Sequence, residues 1–310
     1  LLTSQFPPYE TAVDGEGRLY LIGMDKLLQF DGACNCIGTV EAPEGEMPNW
    51  LAADTAGHVY CSLYDTQTYE TSVIREVVCG GEASGDSQGG SPQDSQTASF
   101  GNPLGEAVPG NYLAAYGENR FLNSVDNSLY LNDLTSNTRT ALLQWVNCDI
   151  NPDFVQRIAT LADGRIVAHL QEDDGIGELA VVAEVPRDQA AEKEVITLGV
   201  LQAGNSHLLR CISQFNRHSP DCRIEIREYY DTYLASGQAE AREEARTALH
   251  MDISSGRCPD LLVLEYDDLE TYAAKGLLED LAPYLEADGD LELADNVIEA
   301  YTFHGKLCAL

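Results

Sequence analysis

Short runs of apolar residues alternate with tight polar turns through the first 190 residues of the chain. One turn pattern recurs four times, and in each copy an apolar run enters the turn and another leaves it. An Asp or Asn close to a Gly favours a hairpin, because Gly accepts a positive φ without steric cost. The pattern therefore predicts repeated antiparallel β-strands. The four copies span residues 14–20, 54–60, 116–122 and 161–167.

The spacing of these turns indicates a repeat architecture. Their marker positions 17, 57, 118 and 164 are 40, 61 and 46 residues apart. The long interval contains residues 80–105, which are rich in Gly, Ser, Gln and Asp and predict a flexible insertion. Without it the period is close to ~40 residues, which is typical of propeller blades. Residues 1–190 therefore resemble the loosely repeated β-propellers, with about four blades; a β-sandwich is the alternative fold.

The pattern of apolar positions changes after residue 190. A continuous apolar run at 195–201 predicts a strand that is buried on both faces, as in parallel sheets. Helices and strands then alternate, which argues for a parallel α/β sheet in residues 191–310. The predicted elements after the first strand are a helix that begins at Ser206, a strand at 223–229, a helix at 238–254, a strand at 260–265 and a short helix capped by Asp268.

Four stretches of this second segment occur in an order known from one family. They are Phe215-Asn216 with Pro220-Asp221 and Ile224-Glu225-Ile226, then Ile-Ser-Ser-Gly-Arg-Cys-Pro-Asp-Leu at 253–261, Tyr-Ala-Ala-Lys-Gly-Leu-Leu-Glu-Asp-Leu-Ala-Pro-Tyr-Leu at 272–285 and Gly-Lys-Leu-Cys-Ala-Leu at 305–310. Residues 194–310 resemble the N-terminal lobe of the extracellular solute-binding proteins of ABC importers, of the type that carries sugars. The resemblance implies an incomplete α/β periplasmic-binding-protein-like lobe. Cys258 and Cys308 depart from the usual family residues.

The resemblance implies a ligand held between two lobes that close, and the second lobe is absent from this chain. We therefore expect half a site, with weak ligand binding or none. In open α/β sheets the ligand crevice lies beyond the carboxyl ends of the strands. Aromatic rings there suit sugar faces, and carboxylates or amides suit hydroxyl groups. The candidate ligand-binding residues are Gln202, Gly204 and Asn205 after the first strand, Tyr229, Tyr230 and Asp231 after the second, and Glu265, Tyr266 and Asp267 after the third.

Structural alternatives exist for several of these residues. Tyr229 or Tyr230 could pack against the lobe instead of touching ligand, and Asp267 could simply begin a helix. Tyr284, although aromatic, is expected to pack within the lobe.

Composition narrows the possible functions. The chain has 51 acidic and 18 basic residues, a net charge of −33, which excludes nucleic-acid binding through the phosphate backbone. No run approaches the ~20 apolar residues that a membrane span needs. The nine cysteines form no C-x-x-C pair, so no metal site is predicted. The sequence does not decide which of the cysteines, if any, form disulfides. We find no nucleophile elbow or phosphate loop, and predict no cofactor, no catalytic residue and no enzymatic activity.

The sequence thus predicts a protein that binds a solute, a sugar or oligosaccharide, for ABC-transporter-mediated uptake, with membrane permease subunits as partners. The chain starts at Leu1 without a leader and ends on an apolar run. We expect a fragment of a longer extracellular lipoprotein, anchored through a segment outside this chain. Two alternatives stay open: a surface hydrolase with an acid pair or triad at the mouth of the propeller, and a surface sensor or adhesion module.

Overall fold

The computed structural model divides by its contacts into two compact units. The first unit is Leu1–Val195 with Ala203–Ile224, and the second is Ile196–Gln202 with Glu225–Leu310. The predicted domain boundary near residue 190 stays a prediction. The structure describes residues 10–23, 25–67, 71–79, 98–104, 111–172, 175, 177–186, 193–201, 206–230, 238–288 and 292–310.

The first unit contains four antiparallel sheets in chain order, each a meander of consecutive strands. This confirms the predicted β-propeller-like architecture with four blades. Blade 1 has β1 (Thr11–Val13), β2 (Leu19–Ile22), β3 (Lys26–Phe30) and β4 (Cys36–Glu41). Blade 2 has β5 (Glu46–Ala53), β6 (Val59–Asp65), β7 (Thr71–Cys79) and β8 (Ala98–Leu104). Blade 3 has β9 (Asn111–Gly117), β10 (Arg120–Val125), β11 (Ser128–Asp133) and β12 (Thr138–Gln144). Blade 4 has β13 (Val155–Thr160), β14 (Ile166–Gln171) and β15 (Gly177–Val182).

The predicted insertion at 80–105 is shorter than expected. Residues 98–104 form β8, which pairs with β7 through partners such as Cys79 and Ala98. Phe100 packs against the core of blades 1 and 2, which explains why a stretch with Gly, Asn and Pro is held as a strand. Residues 80–97 lie outside the described residues.

The recurring turn forms in each blade between its first and second strands. In blade 1 the carboxylate of Asp14 accepts hydrogen bonds from the backbone nitrogens of Glu16 at 2.9 Å and Arg18 at 2.8 Å. Asp54 binds Ala56 and His58 in the same way in blade 2. The turns of these two blades are also joined, because the nitrogen of Gly15 donates to the carbonyl of Gly57 at 3.0 Å.

Among the described residues, a hydrophobic core lies between each pair of successive blades. Side chains of a strand alternate between its two faces, so a blade in the middle of the series must be apolar on both. Phe121 of β10 accordingly packs towards blade 2 with Tyr60, while its neighbour Leu122 packs towards blade 4 with Trp145. This explains why the strands that leave the turns read as continuous apolar runs.

A helix, α1 (Ser206–His218), belongs to the first unit although it follows a strand of the second. It contacts two short 3-10 helices, Val146–Cys148 and Pro152–Phe154, that connect blade 3 with blade 4. The Nε of Arg217 donates to the carbonyl oxygen of Asp149 at 2.8 Å. Side-chain-to-backbone bonds of this kind fix the helix beside blade 4.

The C-terminal segment has the predicted alternation of strands and helices. A three-stranded sheet has the order β17–β16–β18, and β16 and β18 are parallel. The elements are β16 (Glu194–Val200), β17 (Cys222–Glu228), α2 (Gln238–Ser254), β18 (Leu261–Leu262), α3 (Tyr266–Ala274), α4 (Ala282–Asp288), α5 (Asp295–Tyr301) and a hairpin of β19 (Thr302–Phe303) and β20 (Lys306–Leu307).

Three expectations from the sequence differ from the structure. The third strand is Leu261–Leu262 alone, shorter than the predicted 260–265. Helix α3 begins at Tyr266 with Glu265 at its N-cap position, so Asp268 lies inside the first turn and does not cap it. Tyr284 is 62% exposed, so the expectation that it packs within the lobe is wrong.

Candidate ligand-binding site

The three strands of the α/β sheet end at a common edge. The nitrogen of Val263 donates to the carbonyl of Gly199 at 2.9 Å, and that of Tyr229 donates to the carbonyl of Val200 at 3.1 Å. At the other end of the sheet, the nitrogen of Glu194 donates to the carbonyl of Asp221. Both neighbours therefore run parallel to β16. The described residues that directly follow β17 and β18, among them Tyr229 and Glu265, lie at the same edge.

Four of the candidate residues cannot be placed at this edge. Gln202, Gly204, Asn205 and Asp231 lie outside the described residues. Their ligand roles stay predictions.

The two tyrosines after β17 have partners within their own unit. Tyr230 is 6% exposed and packs with Ala245 of α2 in a small core. Tyr229 is partly buried, and its hydroxyl donates to Oδ2 of Asp252 at 3.0 Å. Burial raises the pKa of Tyr229, and the Asp252 carboxylate acts in the same direction. Tyr230 thus takes the packing alternative, while a ligand role for Tyr229 stays a prediction.

Glu265 lies at the carboxyl edge, between β18 and α3, and binds two arginines of α2. Its Oε1 accepts a hydrogen bond from Nη2 of Arg242 at 3.0 Å, and its Oε2 accepts one from Nη2 of Arg246 at 2.6 Å. The Nε of Arg246 lies 3.4 Å from Oδ2 of Asp268. The Asp268 carboxylate, with Glu265, raises the pKa of Arg246. This network holds a carboxylate and two guanidinium groups together on an exposed surface.

Tyr266, the residue after Glu265, presents an exposed aromatic surface. It is 56% exposed, and its ring centroid lies 6.2 Å from that of Phe303 on β19, with the ring planes at 53°. Asp267 is exposed in the first turn of α3, where a negative charge suits the helix dipole. The candidate site therefore has two parts that meet at consecutive residues of the chain: the Tyr266–Phe303 ring pair, and Glu265 with Arg242 and Arg246.

Three members of this arrangement were not predicted from the sequence: Phe303, Arg242 and Arg246. Phe303 reaches Tyr266 because the β19–β20 hairpin contacts α3. His304 and Gly305 make this hairpin turn with φ of 51° and 81°. The Gly-Lys motif that starts at Gly305 was the available signal for a turn. Nothing in it indicated that the residue before the turn contacts α3.

The motif residues that resemble solute-binding proteins have structural roles here. Pro259 packs so closely on β16 that a Cβ at Gly199 would lie 2.7 Å from its Cγ. The carboxylate of Asp280 accepts hydrogen bonds from the nitrogens of Ala282 and Leu307, both at 3.2 Å. Asp280 therefore joins the motif at 272–285 to the motif at 305–310. These motif residues stabilise the packing of the strands and loops near the carboxyl edge of the sheet. They do not form the aromatic surface of Tyr266 and Phe303.

Residues of blades 1, 2 and 4 form a second polar cluster. An Nη2 of Arg157 on β13 lies 2.8 Å from Oε1 of Glu10, which precedes β1. The same guanidinium lies over the ring of Trp50 on β5, 4.5 Å from its centroid. Burial raises the pKa of Glu10, with Arg157 acting in the opposite direction. Nearby on β5, Glu46 pairs with Arg75 at 3.4 Å, so both carboxylates have arginine partners.

Metal-ligand clusters and membrane-spanning helices are both absent from the part of the chain that the structure describes. Within these ranges, no group of three or more His, Cys, Asp or Glu side chains is placed to hold a metal ion. No helix among them combines the length and apolar character needed to cross a membrane.

No protein-family model and no curated protein match this chain. Solved structures match parts of it. An ABC substrate-binding protein from Listeria monocytogenes, in complex with cycloalternan, is 26% identical, with a TM-score of 0.30; the match covers 37% of this chain and 27% of that one. A streptogramin B lyase is 10% identical, with a TM-score of 0.35, over 60% and 58% of the two chains. The calcium-binding protein regucalcin from Agrobacterium tumefaciens is 12% identical, with a TM-score of 0.34, over 57% and 60%.

In each of these comparisons the match covers less than two thirds of the other protein. Similarity of this extent identifies no family for the chain. The function has to be inferred from the residues of the chain itself.

Proposed function

We propose that this chain captures a small-molecule solute, a sugar or oligosaccharide, at the carboxyl edge of its parallel sheet. The observation that carries the proposal is the Tyr266–Phe303 ring pair, of which Tyr266 is exposed and directly follows Glu265 in the chain. An aromatic face binds the apolar C–H face of a pyranose ring, and neighbouring carboxylate and guanidinium groups bind its hydroxyls. The arrangement offers both kinds of contact on one surface.

The ion pairs of Glu265 favour binding because they set its orientation before ligand arrives. A carboxylate held by two arginines loses little further rotational freedom when a hydroxyl donates to it, so less affinity is lost to ordering. The arginines keep donor hydrogens that can bind the hydroxyl oxygens of the same sugar. The surface is therefore suited to a neutral polyol.

The role we propose for this capture is uptake by an ABC transporter at the cell surface, with permease subunits as partners and no covalent chemistry. The ordered motifs at 253–261, 272–285 and 305–310, which resemble those of solute-binding proteins, support it. In that family type, affinity comes from two lobes that enclose the ligand. A single edge binds one side of a sugar only, so this chain binds weakly.

Ligand-observed NMR of the full chain with maltose and cellobiose tests the proposal, because saturation transfer detects weak binding. We expect transfer to the sugar C–H protons, and its loss in Tyr266→Ala. Tyr284→Ala is the matched control, since Tyr284 is an equally exposed tyrosine in the same unit. Transfer that survives Tyr266→Ala at full intensity, or its absence with every sugar tested, contradicts the proposed site.

The Glu10 cluster favours a second candidate function, a hydrolase based in the propeller-like unit. A carboxylic acid whose pKa is raised keeps its proton at higher pH, as a general acid must. Turnover of chromogenic glycosides that Glu10→Gln abolishes and Glu41→Gln leaves unchanged would support this role. Absence of turnover on a broad substrate panel eliminates it.

A further inference from the structure

The first unit contains a polar cleft that the proposed function does not use. It has a volume of ≈ 340 Å³ and lies where the Pro152–Phe154 helix and the end of β14 meet the start of α1. Its lining includes Phe154, Arg210, Asn151, Gln156, Gln171 and Glu172. All of them belong to the first unit. The volume falls in the range of small-molecule pockets, about 300–1,000 Å³.

The walls of the cleft are held in place by contacts behind it. The side chain of Asn151 is almost fully buried, and its Oδ1 accepts a hydrogen bond from the nitrogen of Asp153 at 3.3 Å. Phe154 packs against the core of blades 3 and 4. On the opposite wall, α1 is fixed by the bond from Arg217 to the Asp149 carbonyl. Asn151, Phe154 and α1 are therefore held in place before a ligand binds, whereas the exposed side chains of Gln171 and Glu172 would be ordered by it.

The Phe154 ring lies among the planar polar groups of the cleft, which also include the imidazole of His207. The guanidinium of Arg210 lies 5.7 Å from the centroid of the Phe154 ring. Gln156 and Gln171 bring amide groups that both donate and accept hydrogen bonds, and Glu172 brings acceptors. Planar groups of this kind can bind two neighbouring hydroxyls at once. An apolar ring with such groups around it matches the mixed surface of a sugar.

Charge argues against an anionic ligand. The carboxylates of Asp153 and Glu172 oppose a phosphate or carboxylate ligand, and the chain as a whole carries −33. A cationic ligand is attracted by these two carboxylates and repelled by the guanidinium of Arg210, so a cation is the competing ligand class that the experiment must test. A neutral molecule brings no charge that would have to be paired in the cleft.

We propose that this cleft is a second saccharide site, built by blade 4 and α1, which takes one or two rings of a neutral sugar. It is independent of the site at Tyr266, because no residue is shared between them. The chain thus offers two separate contact points to saccharides, one in each unit.

Binding at the two sites can be distinguished by NMR. The experiment follows the backbone amide signals of the full chain during titration with maltose, cellobiose and lactose. We expect a sugar to shift the signals of residues 151–156 and 171–172, and Gln171→Ala to raise its dissociation constant about fivefold, the effect of one hydrogen bond. Phe154→Ala should weaken binding further. Gln214→Ala is the matched control, since Gln214 is an exposed glutamine of α1 outside the cleft.

Phe154 contributes to a core, so its alanine variant can lose the fold. Gln171→Ala and Glu172→Gln then decide the matter, because both residues are exposed. The proposal is overturned if neither variant changes the dissociation constant, if no sugar shifts the cleft signals, or if putrescine shifts them in preference to sugars. Tyr266→Ala should leave the cleft signals responsive, so failure of one site does not imply failure of the other.

Discussion

The carboxylate of Asp260 binds Thr197 twice. Its Oδ2 accepts hydrogen bonds from the backbone nitrogen at 2.8 Å and from the hydroxyl at 2.7 Å, and the nitrogen of Asp260 donates back to that hydroxyl at 3.1 Å. These bonds join β16 to the start of β18, which is only Leu261–Leu262. A strand of that length has few ladder hydrogen bonds of its own. Asp260 therefore determines where β18 pairs with β16.

Replacing Asp260 with Asn should destabilise the second unit by about 1 kcal/mol, since an amide cannot reproduce both accepted bonds with its charge. Thermal unfolding monitored by circular dichroism measures the change. Glu299→Gln, which removes an exposed carboxylate of α5, should leave the midpoint unchanged. Equal midpoints for Asp260→Asn and the wild-type chain would show that the two bonds contribute nothing.

The contribution of Asp260 to the stability of the second unit should also depend on pH. The Thr197 hydroxyl, together with the Thr197 nitrogen, lowers the pKa of Asp260 below its ordinary value of 3.8. A carboxylate with a lowered native pKa stabilises the fold above its unfolded pKa, and this contribution is lost as pH falls through the native value. The difference between wild type and Asp260→Asn should therefore be full at neutral pH and shrink below 3.8. A difference that grows on acidification would contradict this assignment.

Gly57 should tolerate no side chain. Its φ is +88°, and a Cβ there would lie 2.4 Å from the Cα of Gly15 in the neighbouring turn. Strain of about 1 kcal/mol and overpacking of about 1–3 kcal/mol together predict a loss of roughly 3 kcal/mol for Gly57→Ala. Gly45 has a similar φ of +83° with open space around it, so Gly45→Ala should lose only the strain. Urea unfolding of both variants separates the two costs, and equal losses would show that the contact with Gly15 is unimportant.

Trp145 should dominate the core between blades 3 and 4. It is fully buried, and its Nε1 donates to the hydroxyl of Ser124 at 2.8 Å. We expect Trp145→Ala to lower the free energy of unfolding by about 3–5 kcal/mol, as for other large core truncations. Leu179 is 70% exposed, so Leu179→Ala should change it by less than about 0.5 kcal/mol. Denaturant titration measures both changes, and similar losses would refute the assigned core.

Glu10→Gln should stabilise the first unit slightly at neutral pH. Because burial raises the pKa of Glu10 above its ordinary 4.5, the acid contributes stability below that value and loses it as pH rises through the native pKa. Gln does not ionise, so the variant should match wild type at acidic pH and exceed it at neutral pH. Unfolding midpoints at both pH values test this. A variant that is less stable at neutral pH would show that the Arg157 ion pair outweighs the desolvation of Glu10.

The blades were predictable from the sequence because their turns are local. An Asp such as Asp14 or Asp54 binds backbone nitrogens within its own turn, so the whole interaction is visible in a few consecutive residues. Helix α2 was predictable for a similar reason, since Gly256 ends it in the left-handed conformation at φ +76°. Contacts between turns, such as that of Gly15 with Gly57, join distant positions and leave no local pattern.

The candidate site was predictable only in part. The rule about carboxyl ends of strands pointed to Glu265 and Tyr266, which follow β18 in the structure, and their ligand roles stay predictions. Phe303 comes from a hairpin late in the chain, and its position depends on how that hairpin packs on α3. The placement of α1 beside blade 4 was missed because it depends on bonds from arginine side chains to backbone oxygens, which follow no sequence periodicity.

The interleaving of the two units along the chain bears on how they can be separated. The polypeptide passes from one unit to the other after Val195, after Gln202 and after Ile224. A protease that cuts at one of these crossings gives two fragments, and at least one of them still contains segments of both units. A truncation at residue 190 would also strip the propeller-like unit of α1 and open the side of blade 4. Expression of the N-terminal part alone would therefore require α1 to be supplied as a separate fragment or rejoined through a circular permutation.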